Sequence, residues 1–223
     1  MERKQSFFLI DFEKVKQEKQ AHIERSLFDL YTHFFEYMEQ HTNIREKVRA
    51  KKLFSHKTKI DILDIETDNV IGAHFEHWFA FDYITVVGSR MFDLFVREKK
   101  GDLTKSMLDL SGFFMLMSLE PVQIDEVTGS TVVYNSYFSS TSDTAKFFLF
   151  SPEVTAGDLV FMRVLNVGSV KKVIGPAFSI MKQRESEVLQ EVMLLKQSKN
   201  YRTKMKENGI DYLRYKKGKD KNT

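Results

Sequence analysis

A change of hydrophobic period near residue 113 constrains this chain more than any other feature. Ahead of it, apolar residues recur at helical spacing. Beyond it they alternate, or come in short runs separated by turn residues. A chain of this kind folds as helices followed by a sheet, an α+β arrangement. Within the helical half lies one dense stretch, His74–Tyr83, which reads His-Phe-Glu-His-Trp-Phe-Ala-Phe-Asp-Tyr and holds the chain's only Trp. A helix there would carry Trp78, Phe79 and Phe81 into a core as a packing hub, with Asp82 fixing the exit and His74 and His77 on a partly exposed edge.

In the first half, apolar positions at Val15, Ile23, Leu27, Leu30, Phe34 and Tyr37/Met38 predict one long helix from Asp11 to about His41. Thr42 is the expected N-cap of a second helix over Asn43–Phe54. That segment is basic, with Arg45, Lys47, Arg49, Lys51 and Lys52, and Lys57 and Lys59 follow it. Asp68 or Asn69 is expected to cap the hub helix, Val70–Tyr83. Asp61, Asp64, Glu66 and Asp68 do not fall in the pattern of a calcium loop. Short helices at Arg90–Lys100 and Leu103–Leu110 complete the half.

In the second half, the run Phe113–Leu119 predicts a buried strand, and Pro121 then bends the chain. Val122, Ile124 and Val127 pair across Thr128-Gly129-Ser130 with Thr131–Tyr134 as a hairpin. Ser139–Thr144 is expected as a polar loop, and Phe147–Phe150, Leu159–Val164, Val170–Ile174 and Ala177–Met181 as further strands. Such short strands suggest a small antiparallel barrel or a strongly bent sheet. Lys182–Glu207 is expected as a closing helix, capped by Asn208-Gly209 and followed by a basic tail. The division is therefore residues 1–112, mainly helical; 113–181, a β module packed on it; and 182–223, helix and tail.

Several chemistries are excluded by residue type. There is no Cys, hence no disulfide, thiolate zinc site or cysteine nucleophile. No phosphate-binding glycine loop, dinucleotide fingerprint or Gly-x-Ser-x-Gly elbow occurs. His74 and His77 are the metal candidates, but zinc needs a third protein ligand, so no metal and no cofactor is expected. Charge is unevenly placed. Residues 196–223 carry ten Lys/Arg against three Asp/Glu, whereas the whole chain is only +3. This end interleaves cations with aromatics, and the candidate binding residues are Arg202, Lys204, Lys206, Tyr212, Arg214, Tyr215, Lys216 and Lys217. Cations of this kind neutralise phosphates or acidic partners, and Tyr rings stack on unpaired bases. No apolar run approaches the roughly 20 residues of a membrane helix. The apolar run near the start is only about four residues, shorter than a secretory core. A cytoplasmic protein that does not enter membranes is expected.

The order Glu76-His77-Trp78-Phe79-Ala80-Phe81-Asp82-Tyr83, then Asp125-Glu126-Val127-Thr128-Gly129, then Gly157-Asp158-Leu159-Val160, resembles the N-terminal, non-zinc region of bacterial proteins that carry a C-terminal SEC-C zinc motif. The resemblance covers about residues 70–181. The zinc motif itself needs cysteines and is absent, so zinc binding is not carried over. The resemblance implies a bacterial cytoplasmic origin and an adaptor-like build. The expected function is a non-enzymatic interaction protein engaging a larger, RNA-containing assembly, such as the ribosome, through its basic C-terminal arm. The alternatives are a direct RNA- or DNA-binding factor and a metal-dependent enzyme using His74 and His77.

Overall fold

The computed structural model describes residues 2–138 and 141–218, with side chains from residue 12 onward. The polar terminus after Gly218, and the Ser139-Ser140 start of the expected polar loop, lie outside the described residues. Six helices come first: α1 Glu2–His41, α2 Ile44–Thr58, α3 Ile62–Thr67, α4 Asn69–Phe81, α5 Met91–Lys99 and α6 Lys105–Leu116. Local chemistry sets their starts. Asn43, not Thr42, caps α2 by accepting from the Arg45 N–H at 2.8 Å, while Thr42 instead donates its hydroxyl to the Met38 carbonyl. Asp68 caps α4, accepting from Val70 and Ile71.

The expected strand at Phe113–Leu119 is instead the last turn of α6 and the residues that follow it. Thr104 caps this helix, and Met107, Leu110, Ser111 and Phe114 face the core at i, i+3, i+4 and i+7. Phe113 and Leu116 point outward. A short unbroken apolar run fits a buried strand and a helix equally; here the cap and the upstream period decide it.

Seven strands follow: β1 Glu120–Thr128, β2 Thr131–Ser136, β3 Ser142–Phe148, β4 Leu159–Met162, β5 Val164–Val167, β6 Val170–Ile174 and β7 Phe178–Ser179. Their order is β5-β6-β3-β2-β1-β4-β7, and the sheet does not close, so it is not a barrel. Nor is it wholly antiparallel: β3 and β6 run parallel. The β1–β2 hairpin turns at Gly129-Ser130, where Gly129 takes φ 59°. Part of the expected Ser139–Thr144 loop, from Ser142 on, is β3, paired with β2. Ser142 and Thr144 are exposed on one side of this interior strand while Ala145 is buried, so polarity alone does not mark a loop.

Both outer strands are covered. α1 lies along β5, with Gln20 donating to the Val167 carbonyl at 3.0 Å and accepting from the Ser169 N–H at 2.9 Å. At the other end the C-terminal segment runs beside β7: Lys217 N–H donates to the Ser179 carbonyl at 2.8 Å, and Met181 N–H to Tyr215 O at 2.9 Å. The expected single helix Lys182–Glu207 is two, α7 Glu185–Lys196 and α8 Tyr201–Asn208. They part where Ser198 turns back to the Leu195 carbonyl with both its N–H and its hydroxyl. A 3₁₀ segment, Gly209–Tyr215, then leads to β7.

Alternating residues of the sheet face two cores. Leu159 and Phe161 of β4, with Ile174 of β6, join the large core built by the helices. Val160 and Met162, with Val173, join a smaller one on the opposite face. α4 runs through the large core and is buried on nearly all sides, which explains why it is apolar all round rather than striped. Phe81 meets Phe34 of α1, Phe92 of α5 and Phe114 of α6, while Phe75 and Trp78 meet Phe54 of α2.

Candidate functional site

The two histidines do not form an exposed edge. His74 is 0 % and His77 2 % exposed, because the sheet packs over the face of α4 that carries them. His77 is held at both nitrogens. Its Nδ1 lies 2.8 Å from the Ala73 carbonyl, which can only accept, so Nδ1 carries the proton and Nε2 accepts from the Tyr31 hydroxyl at 2.7 Å. Gly175 makes room for the ring: a Cβ there would sit 2.2 Å from it. His74 has no hydrogen-bond partner at either nitrogen among the described residues. Burial, reinforced by the Arg163 charge, lowers His77 to about 3 and His74 well below the usual histidine range, so both rings are neutral. No group of three or more His, Asp or Glu among the described residues is placed to hold a metal ion.

Beneath the histidines lies a buried ion pair. Asp82 at the end of α4 accepts from Arg163, which sits between β4 and β5, and both side chains are almost wholly excluded from water. Asp82, at the exit of α4, therefore ties the helical half to the sheet. Lys206 of α8 closes the group by donating to the Phe81 carbonyl at 3.2 Å. Burial lowers its ammonium to about 8, against the pull of Asp82.

The two imidazoles back a surface cleft of about 520 Å³. His74 lies edge-on to Phe178, with ring centroids 5.3 Å apart, and His77 edge-on to Phe150 at 5.0 Å. Phe178 and Phe150 line the cleft. Leu149, in the left-handed region at φ 61° and largely exposed, makes the turn that carries the chain from β3 to Phe150. That conformation is costly for a branched residue and is kept only where the surroundings impose it. The remaining wall comes from three directions. The first turn of α4 supplies Asn69, Val70 and Ala73. The stretch after β3 supplies Pro152, Val154 and Thr155. The C-terminal segment supplies Lys216, Lys217 and Gly218.

One carboxylate of this wall is fully engaged. Asp158 accepts from the Ser179 hydroxyl at 2.8 Å, from the Thr155 N–H and hydroxyl at 3.2 and 3.0 Å, and from Lys217 at 3.3 Å. Burial works to raise this carboxyl, but Ser179, Thr155 and Lys217 together hold it below the ordinary carboxylate value.

The basic residues expected to form one arm are scattered. Lys206 and Tyr212 are core residues, 5 % and 4 % exposed, and Tyr212 stacks on Phe161. They cannot meet a partner, because α8 and the 3₁₀ segment fold back onto the sheet. Arg202 and Arg214 are exposed, Lys204 is half-buried, and Arg214 and Arg184 lie over the Tyr215 ring. Lys216 and Lys217 reach the cleft. Three residues of the second basic cluster are paired within the chain, Lys47 with Glu76, Lys51 with Glu66 and Lys57 with Asp211, while Arg45, Arg49, Lys52 and Lys59 are exposed. Sequence patterning missed the rest of the cleft. Gly157-Asp158 and Gly175-Pro176 mark turns in the sequence, but that both turns open on one cavity is set by the sheet order. No helix among the described residues is long and apolar enough to cross a membrane.

No protein-family model, curated protein or solved structure matches the chain. The likeness to SEC-C motif proteins therefore rests on the short motifs alone.

Proposed function

We propose that the protein is a non-enzymatic binding protein that engages its partner at the cleft between the start of α4, the stretch after β3 and the C-terminal segment. The observation that supports this is the make-up of the cleft: an aromatic and proline-lined hollow of about 520 Å³, with Lys216 and Lys217 of the basic C-terminal segment in its wall. Largely apolar hollows of roughly 300–1,000 Å³ with a few fixed polar groups are the common form of binding sites. The basic end of the chain then acts as part of a rigid site, not as a trailing arm. An adaptor that joins a larger, RNA-containing assembly fits this reading if a protein of that assembly occupies the cleft. Direct nucleic-acid binding has less support, since Tyr212 and Lys206 are buried and Lys47, Lys51 and Lys57 are paired with carboxylates of the chain. Enzymatic use of His74 and His77 has none, since neither ring reaches solvent.

The test is affinity capture from the native cell with the wild-type protein and with Ala73→Phe, which fills the cleft, each with and without nuclease. A partner that survives nuclease and is lost with Ala73→Phe is the expected result. A partner indifferent to the plug, or one released by nuclease, overturns the proposal.

A further inference from the structure

Resting on the reading of the cleft as the binding site, we infer that its occupant is an amphipathic anion, with an apolar body against Phe150, Phe178 and Val154 and one acidic group at Lys216. The charges around the cleft single out that lysine. Lys217 is paired with Asp158, and the other contacts of Asp158 are filled by Ser179 and Thr155. Glu153 also lines the cleft but is itself engaged. The first N–H groups of α4 offer no anchor, because Asp68 already accepts from Val70 and Ile71 at 2.8 and 3.1 Å. Lys216 makes no ion pair among the described residues, and its backbone is fixed beside Ile180 of the sheet edge.

Any occupant that fills the hollow strips water from this ammonium. A neutral body leaves it desolvated and unpaired, a cation adds repulsion, and an anion supplies the missing partner. The buried groups behind Lys216 offset nothing: Arg163 is neutralised by Asp82, and His74 is kept neutral by burial, with the Arg163 and Lys216 charges acting in the same direction. The hollow is of a size for one small ring system or a short side-chain cluster, not for a duplex.

The probe is anilinonaphthalenesulfonate, compared by fluorescence titration with its uncharged analogue phenylnaphthylamine, on the full chain. The sulfonate should bind saturably at one molecule per chain, about tenfold more tightly than the neutral analogue. Lys216→Gln should remove that preference by weakening the sulfonate and, with no ammonium left to be stripped of water, by binding the neutral probe at least as tightly as the wild type does; Ala73→Phe should abolish both. Equal affinity for the two probes, or a preference that survives Lys216→Gln, overturns the assignment of charge while the cleft stands as a site. Failure of both probes to saturate, or binding untouched by Ala73→Phe, overturns the cleft reading as well. Adding the sulfonate to the capture experiment tests the source of the anion. Elution of the partner is the expected result, since the acidic group is one that the partner presents; a partner that stays bound overturns the cleft as its docking site.

Discussion

Arg163 and Asp82 carry the highest stakes of any two side chains, because each is buried and each neutralises the other. Arg163→Met leaves a carboxylate without its partner in the core and should cost about 3–5 kcal/mol. Asp82→Leu combined with Arg163→Met should recover most of that loss. Urea denaturation of the wild type and these two variants checks both statements, and a double variant as unstable as the single one contradicts them. The histidines set a pH dependence with a definite sign. Their folded values lie below the ordinary 6.5, so the unfolded chain binds protons first as pH falls. Stability is then complete above about pH 6.5 and is lost as pH falls, by up to about 1.4 kcal/mol per pH unit for each ring, the loss from His77 ending near its folded value of about 3. His74→Phe keeps an aromatic ring against Phe178 and should reduce the slope between pH 6.5 and 5 by about one proton. An unchanged slope would show that His74 titrates normally. Of these groups, Asp82 and the aromatics of α4 were legible as a hub, since so apolar a segment has to be buried. The burial of His74 and His77 was not, because it depends on which face the sheet covers, and Arg163 carries no local signal at all.

Two elements test how the chain chooses between helix and strand. α6 contains Gly112, exposed and with nothing within 4 Å of an added Cβ. In a helix, Gly112→Ala should raise stability by about 0.5–1 kcal/mol; a strand over the same residues gives no such gain. Gly175 poses the opposite case. It takes φ 74° with His77 directly against it, so Gly175→Ala should cost roughly 2–4 kcal/mol from strain and overpacking together. Long amphipathic segments such as α1 and the β1–β2 hairpin were legible, because period and turn chemistry agree there. The run from Phe113 was not, since five consecutive apolar residues fit either state, and the break between α7 and α8 lies in a stretch with no Gly or Pro to mark it. The order of strands in the sheet, with β3 beside β6, is a long-range choice that local pattern does not encode.

At the scale of the whole molecule, the C-terminal end is part of the fold. Ile210, Tyr212 and Leu213 are buried in the large core, and full burial of an apolar side chain contributes roughly 1.5–3 kcal/mol. Truncation after Asn208 should therefore destabilise the protein by about 4 kcal/mol or more, seen as a lowered urea midpoint or loss of folded protein. A free arm would leave the midpoint unchanged. The charge asymmetry was plain in the sequence, but its meaning was not: folding divides the basic residues among core, surface and cleft. The central claim is that the cleft, walled by this segment, is the binding site. Amide NMR during titration with anilinonaphthalenesulfonate tests it most directly. The account predicts shifts concentrated at Asn69, Val70, Ala73, Thr155, Ser179 and Lys216–Gly218. Shifts gathered instead on Arg45–Lys59, or spread without focus over the surface, would contradict it.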